Sequence, residues 1–263
     1  MSVPKDLMPQ LVALAHRAGA AIMAIYATDF EHRSKADDSP VTEADLAAEA
    51  VIEAGLTALA PDIPMVAEEA ASQGRLPDIS GGRFWLVDPL DGTREFLNRN
   101  GEFTVNIALI ENGRPVLGVV HAPALGLTFT GQAGVGATRT QDTGPQAPIQ
   151  VRATPAEGVT IVASRRHGDP EANDRLLRGH PVAGAKSAGS SLKFCLVASG
   201  EADVYPRFGR TMEWDTAAGQ AVLEAAGGRV TDEHGRDLAY GKDGLDNPAF
   251  IAWGGLTPFG AAS

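Results

Sequence analysis

The stretch WLVDPLDGT, residues 85–93, places carboxylates directly after an apolar run. The apolar residues predict a short buried strand over Phe84 to Val87, which ends at Asp88, and Asp91 follows within the same turn. Two carboxylates at the end of a buried strand carry a high desolvation cost unless a positive charge lies between them. A hard divalent cation, Mg²⁺ or Mn²⁺, is the simplest such charge, because these ions prefer oxygen ligands.

The composition is typical of a soluble globular protein and argues against a nucleic-acid polymer as partner. The 263 residues are 44% hydrophobic and 21% charged, and the net charge is -11. A chain this acidic is poorly suited to a polyanion. A small phosphorylated ligand stays compatible with it, because bound cations invert the local field.

The location of the protein follows from three further features of the sequence. The start lacks the basic and apolar segments of a signal peptide, and no run of about 18 apolar residues predicts a membrane span. The lone cysteine, Cys195, excludes an intramolecular disulfide and a cysteine-based zinc site, which fits a reducing compartment. We therefore predict a cytoplasmic protein.

Hydrophobic periodicity predicts an α+β first half and an α/β second half. The predicted helices are 5–26, 42–59, 171–178, 192–198 and 216–226, and the predicted strands are 63–67, 84–87, 103–110, 116–120, 127–130, 159–163 and 202–205. Thr42 and Asp45 form a capping-box pattern at the second helix. The Gly- and Pro-rich segment 137–148 predicts a boundary between a domain at 1–148, which carries most of the acidic candidates, and a domain at 149–263.

Candidate site residues are the acidic ones that follow or open an apolar element. They are Asp45, Glu68, Glu69, Asp88, Asp91 and Asp215. A sharp turn at residues 88–93 would aim Asp88, Asp91, the Leu90 carbonyl and the Thr93 hydroxyl at one point. Two plainer interpretations compete, since Asp, Pro and Gly are ordinary turn residues and Asp215 suits a helix N-cap.

Four ordered blocks of sequence resemble signatures of one enzyme family. They are residues 85–93 (WLVDPLDGT), 214–219 (WDTAAG), 40–45 (PVTEAD) and the pair Glu68-Glu69. Together they resemble the inositol monophosphatase superfamily of metal-dependent, lithium-sensitive phosphatases. The resemblance implies the layered αβαβα sandwich that this family shares with fructose-1,6-bisphosphatase.

Further segments resemble one branch of that family, the CysQ-type 3'(2'),5'-bisphosphate nucleotidases. They are residues 93–96 (TREF), 100–110 (NGEFTVNIALI), 189–195 (GSSLKFC) and 205–209 (YPRFG). The resemblance implies hydrolysis of 3'-phosphoadenosine 5'-phosphate, a by-product of sulfate activation in sulfur assimilation, to AMP and phosphate. The implied partner is thus a small phosphorylated nucleotide.

The resemblance also implies roles for individual residues. Glu68, Asp88 and the Leu90 carbonyl would hold one Mg²⁺, and Asp88, Asp91 and Asp215 would hold a second. Glu69 is a candidate for a third, weaker metal. Asp45 and Thr93, with Glu68, would direct the attacking water. The substrate would contact Leu90, Asp91, Gly92, Thr93, Lys186, Ser190, Arg207 and Asp215.

Arg207 is the main candidate for specificity, because a guanidinium suits a second phosphate group. An exposed arginine after Pro206 is the plainer interpretation. Lys186 and Lys193 are weaker candidates for the same contact, and Lys35 is a candidate for approaching the reacting phosphate or a metal. Inositol monophosphatase activity, fructose-1,6-bisphosphatase activity and a binding protein without catalysis remain alternatives.

Other chemistries and assemblies are less well supported by the sequence. Ser190 and Ser191 lack the Gly-x-Ser-x-Gly elbow of serine hydrolases, and Cys195 lies in an apolar helix. The sequence does not choose between a monomer and a homodimer. Some proteins of the CysQ type are described as loosely associated with the inner membrane, but this sequence has no basic amphipathic helix that would account for such binding.

Overall fold

The computed structural model describes residues 7–28, 32–34, 40–163 and 181–255, and two long helices dominate its first part. Helix α1 spans Leu7–Tyr26 and helix α2 spans Glu43–Leu59, with a two-stranded ribbon of β1 (His32–Ser34) and β2 (Pro40–Thr42) between them. Apolar side chains recur at helical spacing and are buried, among them Leu11, Leu14 and Ile52. The two helices thus form one layer over a sheet.

That sheet has seven strands, and strands adjacent in the chain are adjacent in the sheet. The strands are β3 (Met65–Ala67), β4 (Arg83–Asp91), β5 (Thr104–Glu111), β6 (Arg114–Ala122), β7 (Leu127–Gln132), β8 (Gly136–Gln141) and β9 (Ala147–Ile149). Strands β3 and β4 are parallel, and all later pairs are antiparallel. Short helices α3 (Glu68–Ser72) and α4 (Thr93–Leu97) follow β3 and β4 directly.

A second sheet of five strands is ordered β11-β10-β12-β16-β14. Its strands are β10 (Val159–Ala163), β11 (Val182–Ser187), β12 (Val204–Arg207), β14 (Arg229–Asp232) and β16 (Phe250–Trp253). A further pair joins β13 (Thr211–Met212) to β15 (Asp246–Asn247). Helices α5 (Leu192–Ala198) and α6 (Glu213–Ala225) lie between the two sheets, so the described residues form helix, sheet, helix and sheet layers.

Close packing of α6 on the first sheet depends on two glycines. A Cβ at Gly118 would lie 2.6 Å from the Ala218 carbonyl oxygen, and a Cβ at Gly131 would lie 2.5 Å from the Ala221 carbonyl oxygen. Any larger residue would push α6 away from β6 and β7. The first turn of α6 is thereby held over the sheet that carries Asp88 and Asp91.

Most predicted elements are confirmed, with three differences. Strand β4 continues through Asp91, because its pairing with β5 resumes after Asp88. Helix α6 begins at Glu213, three residues before the predicted start, so Asp215 is its third residue and not its N-cap. The segment 137–148, predicted as a linker, contributes to β8 and β9. The helix predicted over 171–178 lies outside the described residues.

The division into two domains at residue 148 stays a prediction. Strand β9 extends the first sheet to Ile149, close to the predicted boundary. Helix α6 from the second half nevertheless packs on β5, β6 and β7 of the first half. The two halves share one core cluster, which includes Phe84, Val120 and Phe194.

One helix of the described part, α1, is long and apolar enough to cross a membrane by these two measures. It buries one face, which includes Leu11, Leu14, Ala18 and Ile22, against α2 and the sheet. This one-sided burial is the pattern of a core helix in a folded domain.

Candidate active site

A β-bulge in β4 sets the direction of the first two carboxylates. Asp88 pairs with Asn106 and Asp91 pairs with Thr104, so Pro89 and Leu90 together stand opposite the single residue Val105. In a regular strand, positions three apart point to opposite faces of the sheet. The extra residue of the bulge returns Asp91 to the face of Asp88, which is the face toward α5 and α6.

The Leu90 side chain points to the opposite face of the sheet from Asp88 and Asp91. Its side chain is 1% exposed and belongs to the core beneath α1 and α2. Its backbone N–H donates to Asp88 Oδ1 at 3.0 Å, and its carbonyl accepts a long hydrogen bond of 3.5 Å from the Thr93 hydroxyl. The structure therefore brings Asp88, Leu90 and Thr93 together, as the sequence predicts.

Asp45 joins this group from the start of α2. Its Oδ2 accepts hydrogen bonds from the Thr42 backbone N–H at 2.8 Å and from the Thr42 hydroxyl at 2.6 Å, so the predicted capping box is present. Its Oδ1 accepts from the Thr93 hydroxyl at 3.3 Å. Since Asp45 is 1% exposed, its carboxylate is fixed beside the turn that follows β4.

Asp91, Asp215 and Glu68 form a second group of negative charges. Lost hydration, with added repulsion from Glu95 and Glu68, raises the pKa of Asp91 to about 6, although Lys193 acts in the opposite sense. Lost hydration, followed by repulsion from Asp91 and Glu68, raises the pKa of Asp215 well above its usual value. The three carboxylates therefore repel one another at one place in the molecule.

The donor set suits a hard cation, although it is not a closed cage. Among the residues that the structure describes, no three carboxylate, histidine or cysteine side chains converge tightly enough to form a ready coordination shell. The donors that face this region are nevertheless oxygen atoms, and their mutual repulsion is the cost that a divalent cation removes. The residues Glu68, Asp88, Asp91 and Asp215 thus fit Mg²⁺ by chemistry and charge.

A basic wall faces the acidic group across a cavity of about 200 Å³. The lining residues include Asp91 and Asp215, which we call the acidic wall, and Lys193 and Arg207, which we call the basic wall. Arg207, the last residue of β12, donates from Nη2 to the Arg210 carbonyl at 3.3 Å, while its buried Nε finds no hydrogen-bond partner among the described residues. A buried guanidinium N–H without a partner is costly, so this wall suits an anionic ligand.

Lys193 and Ser190 complete the basic wall. Burial lowers the pKa of Lys193 to about 8, against the opposing effect of Asp91. Its ammonium donates to the Ala188 carbonyl at 3.4 Å and lies 5.3 Å from the centre of the Tyr205 ring. Ser190 has a positive φ of 46°, and its buried hydroxyl finds no partner within the described part of the chain.

The sequence segments 100–110 and 189–195 meet at this cavity, a contact that sequence reasoning missed. The Gly189 N–H donates to Glu102 Oε2 at 2.7 Å, and the Ser191 N–H donates to Asp91 Oδ2 at 2.6 Å. The Ser191 hydroxyl lies 2.7 Å from Asn106 Oδ1 and 2.8 Å from the Thr104 hydroxyl. The polar residues of these two segments lie within otherwise apolar sequence, and this pattern was the signal that could have indicated the contact.

Gly92 connects the two walls. Its φ of 91° is in the left-handed region that favours glycine, and it is the N-cap of α4. A Cβ there would lie 3.3 Å from both the Glu102 carbonyl oxygen and the Ser190 Cβ. A side chain at this position would therefore crowd Glu102 and Ser190, so both the packing and the backbone conformation favour glycine.

Three further candidates lie elsewhere. The Lys186 ammonium is 3.5 Å from Glu201 and lines a different cavity with Phe129 and Leu192, so the structure does not bring it to Arg207. Glu69 is buried, and its backbone N–H donates to Glu49 Oε2 at 2.8 Å. Lys35 lies outside the described residues.

The cysteine and two of the histidines, which could serve as nucleophile or base in another kind of enzyme, make structural contacts instead. Cys195 is fully buried, and burial raises the pKa of its thiol. His16 and His121 both contact the Thr128 hydroxyl, at 2.8 and 3.0 Å. None of these three side chains is among the residues that line the cavity with Arg207.

The sequence and the fold identify the family. The model of the inositol monophosphatase family matches residues 4–256, nearly the whole chain. The chain belongs to the inositol monophosphatase family. The layered fold and the acidic signatures are therefore those of this family, whose enzymes are metal-dependent phosphatases.

Relatives within the inositol monophosphatase family are similar over most of their length. A 3'(2'),5'-bisphosphate nucleotidase CysQ of Salmonella typhimurium is 49% identical over 249 residues, which are 93% of this chain and 98% of that protein. The crystal structure of CysQ from Bacteroides thetaiotaomicron superposes with a TM-score of 0.79 at 38% identity, covering 95% of this chain and 97% of that one. An IMPase of Thermotoga maritima superposes with a TM-score of 0.77 at 30% identity, covering 95% and 93%.

Proposed function

We propose that this protein is a Mg²⁺-dependent 3'(2'),5'-bisphosphate nucleotidase that hydrolyses 3'-phosphoadenosine 5'-phosphate to AMP and phosphate. The observation that carries the proposal is the cavity in which the acidic group faces Arg207 and Lys193. A substrate with two phosphate groups matches both walls, since one phosphate meets the cations held by the carboxylates and the other meets the guanidinium. The similarity to CysQ of Salmonella typhimurium supports the same substrate.

Metal binding is assigned to the acidic wall. Glu68, Asp88 and the Leu90 carbonyl would hold one Mg²⁺, and Asp88, Asp91 and Asp215 would hold a second. When bound, Mg²⁺ supplies the positive charge that neutralises the phosphate oxygens and favours ionisation of water. The bulge in β4 supports this assignment, because it turns Asp88 and Asp91 to the same face.

Asp45 and Thr93 direct the attacking water. The Thr93 hydroxyl donates a hydrogen bond to Asp45 Oδ1, so the lone pairs of Thr93 Oγ1 are free to accept a hydrogen bond from water. As the water oxygen attacks phosphorus, its proton passes to Thr93 Oγ1 and the Thr93 proton passes to Asp45 Oδ1. The bond from phosphorus to the nucleoside 3'-oxygen breaks, and that oxygen takes up a proton from solvent to become the 3'-hydroxyl of AMP. The backbone N–H groups of Gly92 and Thr93 hold the reacting phosphate.

Specificity is assigned to the basic wall. Arg207 and Lys193 contact the phosphate that does not react, and the Ser190 hydroxyl adds a hydrogen bond. These side chains line one cavity with Asp91 and Asp215, so the distance between the two walls selects substrates that carry a second anionic group. Inositol 1-phosphate has no such group.

Phosphate release from three substrates tests the proposal. We expect kcat/KM to be highest for 3'-phosphoadenosine 5'-phosphate, lower for inositol 1-phosphate and fructose-1,6-bisphosphate, and abolished for all three by EDTA. The highest value for either of the other two would assign that activity instead. Binding of Mg²⁺ by calorimetry without phosphate release from any substrate would indicate a binding protein.

The remaining assignments are a cytoplasmic location, a small nucleotide as the partner, and a monomer or homodimer. Fractionation of cells that express the full chain tests the location. Recovery with the membrane fraction after a wash in high salt would contradict it.

A further inference from the structure

A hydrogen-bonded network at the start of α6 lies behind Asp215 and reaches the cavity wall at Thr216. Its members come from the first two turns of α6 and from residues 239–247, which we call the clamp segment. Three of its side chains are almost fully buried, namely Glu213, Thr216 and Gln220. Buried polar groups of this kind are costly unless every one of them is paired, so the network fixes a single geometry.

Asp215 depends on the backbone of this turn for its position. Its Oδ2 accepts a hydrogen bond of 2.9 Å from the Met212 N–H, so one carboxylate oxygen is tied to the N-cap residue. Met212 itself offers no capping hydroxyl. The support that a Ser or Thr cap would give must therefore come from elsewhere.

Glu213 supplies that support on one side. Its carboxylate accepts hydrogen bonds from the Gly241 N–H at 2.7 Å, from the Lys242 N–H at 3.0 Å and from the Lys242 ammonium at 2.6 Å. Its own backbone N–H donates to the Leu245 carbonyl at 2.9 Å. Glu213 thus ties the first residue of α6 to the clamp segment through both its side chain and its backbone.

Asn247 supplies support on the other side. Its amide nitrogen donates to the Met212 carbonyl at 2.7 Å and reaches the hydroxyls of Thr216 and Thr211 at 3.0 and 3.3 Å. Its amide oxygen lies 3.3 Å from the Lys242 ammonium. Residues on both sides of Asp215 are therefore held by one side chain.

The clamp segment has a shape that makes these contacts specific. Gly241, Gly244 and Leu245 all have positive φ, at 81°, 79° and 59°. A non-glycine residue in this region is uncommon and persists where its surroundings hold it. The turn therefore presents its N–H groups to Glu213 in one arrangement.

We propose that Glu213 and Asn247 are positioning residues that hold Asp215 against the repulsion of Asp91 and Glu68, so that it can bind a divalent cation. The inference rests on the proposed function, which makes Asp215 a metal ligand. Burial and the neighbouring carboxylates disfavour the charged form of Asp215, whereas the hydrogen bond from the Met212 N–H and the Arg207 guanidinium favour it. The clamp segment holds Met212 through Asn247, and thereby the backbone that positions the Asp215 carboxylate.

Calorimetric titration with Mg²⁺ tests the inference, together with the rise in Tm that Mg²⁺ produces. We expect Glu213→Gln to weaken Mg²⁺ binding roughly 10-fold, the usual effect of losing an outer partner of a metal ligand, and to reduce the Mg²⁺-dependent rise in Tm. The matched control is Asp203→Asn. Asp203 is equally buried and accepts from Arg152 and from the Thr160 N–H, but it directly precedes β12 of the five-stranded sheet.

The control separates positioning from general stability. Asp203→Asn should lower the Tm of the metal-free protein and keep the wild-type affinity for Mg²⁺. If Glu213→Gln fails to fold, Lys242→Met replaces it, and Lys242→Arg should restore the affinity for Mg²⁺. Equal affinity in wild type and in Glu213→Gln, or in Lys242→Met, would overturn the inference alone. Absence of Mg²⁺ binding by the wild type would overturn the metal assignment and the inference together.

Discussion

The starts of α2 and α6 each position an aspartate of the site, but they do so through different contacts. Each helix has an aspartate as its third residue, and each aspartate accepts a hydrogen bond from the N-cap N–H, at 2.8 Å for Asp45 and at 2.9 Å for Asp215. At α2 the cap is Thr42, whose hydroxyl completes a capping box three residues away in the chain. At α6 the cap is Met212, and the polar support comes from Glu213 with residues about thirty positions later.

The difference shows which parts of an active site are local. Asp45 is placed by the start of its own helix and accepts a hydrogen bond from Thr93 across the site. Asp215 is placed by the clamp segment and feels Asp91, Glu68 and Arg207. A locally built start can be recognised in the sequence, whereas a start built from distant residues cannot.

The largest expected effect separates the two aspartates by role. We expect Asp215→Asn and Asp45→Asn each to lower kcat about 10²–10³-fold, because Asp215 would hold a cation at the reacting phosphate and Asp45 accepts the hydrogen bond by which Thr93 directs the water. Only Asp215→Asn should also weaken Mg²⁺ binding, since Asp45 acts on water through Thr93. Steady-state kinetics with a Mg²⁺ titration measures both quantities. Equal Mg²⁺ affinity in the two variants would show that the aspartates share one role.

Arg207, which lines the cavity from the end of β12, should control the choice of substrate. We expect Arg207→Glu to lower kcat/KM for 3'-phosphoadenosine 5'-phosphate roughly 10–100-fold, the loss of one or two charge-assisted hydrogen bonds. The value for inositol 1-phosphate should change much less. Arg210→Glu is the control, because Arg210 is exposed and pairs with Asp246. An equal effect of Arg207→Glu on both substrates would remove Arg207 from the specificity wall.

The repulsion on the α6 side should make the metal-free protein sensitive to pH. The pKa of Asp91 is about 6 in the folded chain against its usual 3.8, so the folded state binds the proton more tightly than the unfolded state. The stability that this group contributes is present below pH 3.8 and is lost as the pH rises to 6. We expect Asp91→Asn to remove that loss, which is about 3 kcal/mol, and to abolish activity.

Urea unfolding in EDTA at pH 5 and at pH 7 measures this effect. The free energy of unfolding of Asp91→Asn should exceed that of the wild type by more at pH 7 than at pH 5. With Mg²⁺ added at pH 7, the wild type should become the more stable of the two. The same difference between variant and wild type at both pH values would mean that Asp91 is not repelled in the folded chain.

The smallest expected effect concerns the locally built start of α2. We expect Thr42→Val to lower the free energy of unfolding by about 1 kcal/mol, because it removes the hydroxyl that bonds Asp45 and the Ala44 N–H. Thr42→Ser keeps the hydroxyl and should stay close to wild type. Chemical denaturation of the three proteins gives the comparison. A loss in Thr42→Ser as large as that in Thr42→Val would assign the effect to the methyl group instead.

The sequence predicted the local parts of the fold and site well. The pattern at Thr42 and Asp45 predicted the capping box, and the resemblance grouped Asp88, Leu90 and Thr93, which the structure also brings together. The acidic residues could be found because each ends or opens an apolar element. These signals lie within a few residues of the groups that they predict.

The remaining parts depend on contacts between distant segments. Nothing near Gly189 in the sequence indicates that it contacts Glu102, and nothing near Lys186 indicates that it lies beside Glu201 and not beside Arg207. The start of α6 was predicted too late, because its cap is a methionine supported by the clamp segment. Turn chemistry alone suggested that β4 ends at Asp88, whereas its pairing with β5 carries it on to Asp91.

The bulge at Pro89 and Leu90 allows two carboxylates three positions apart to share one face of the sheet. Because two residues of β4 stand opposite Val105, the side-chain alternation before the bulge is out of phase with the alternation after it. A regular pleat with the same residues would send the Asp91 carboxylate into the apolar layer beneath α1 and α2. Loss of one residue would leave Asp91 on the face of Asp88, but it would remove the extra position that lets Leu90 bury its side chain on the other face while its carbonyl lies beside Thr93.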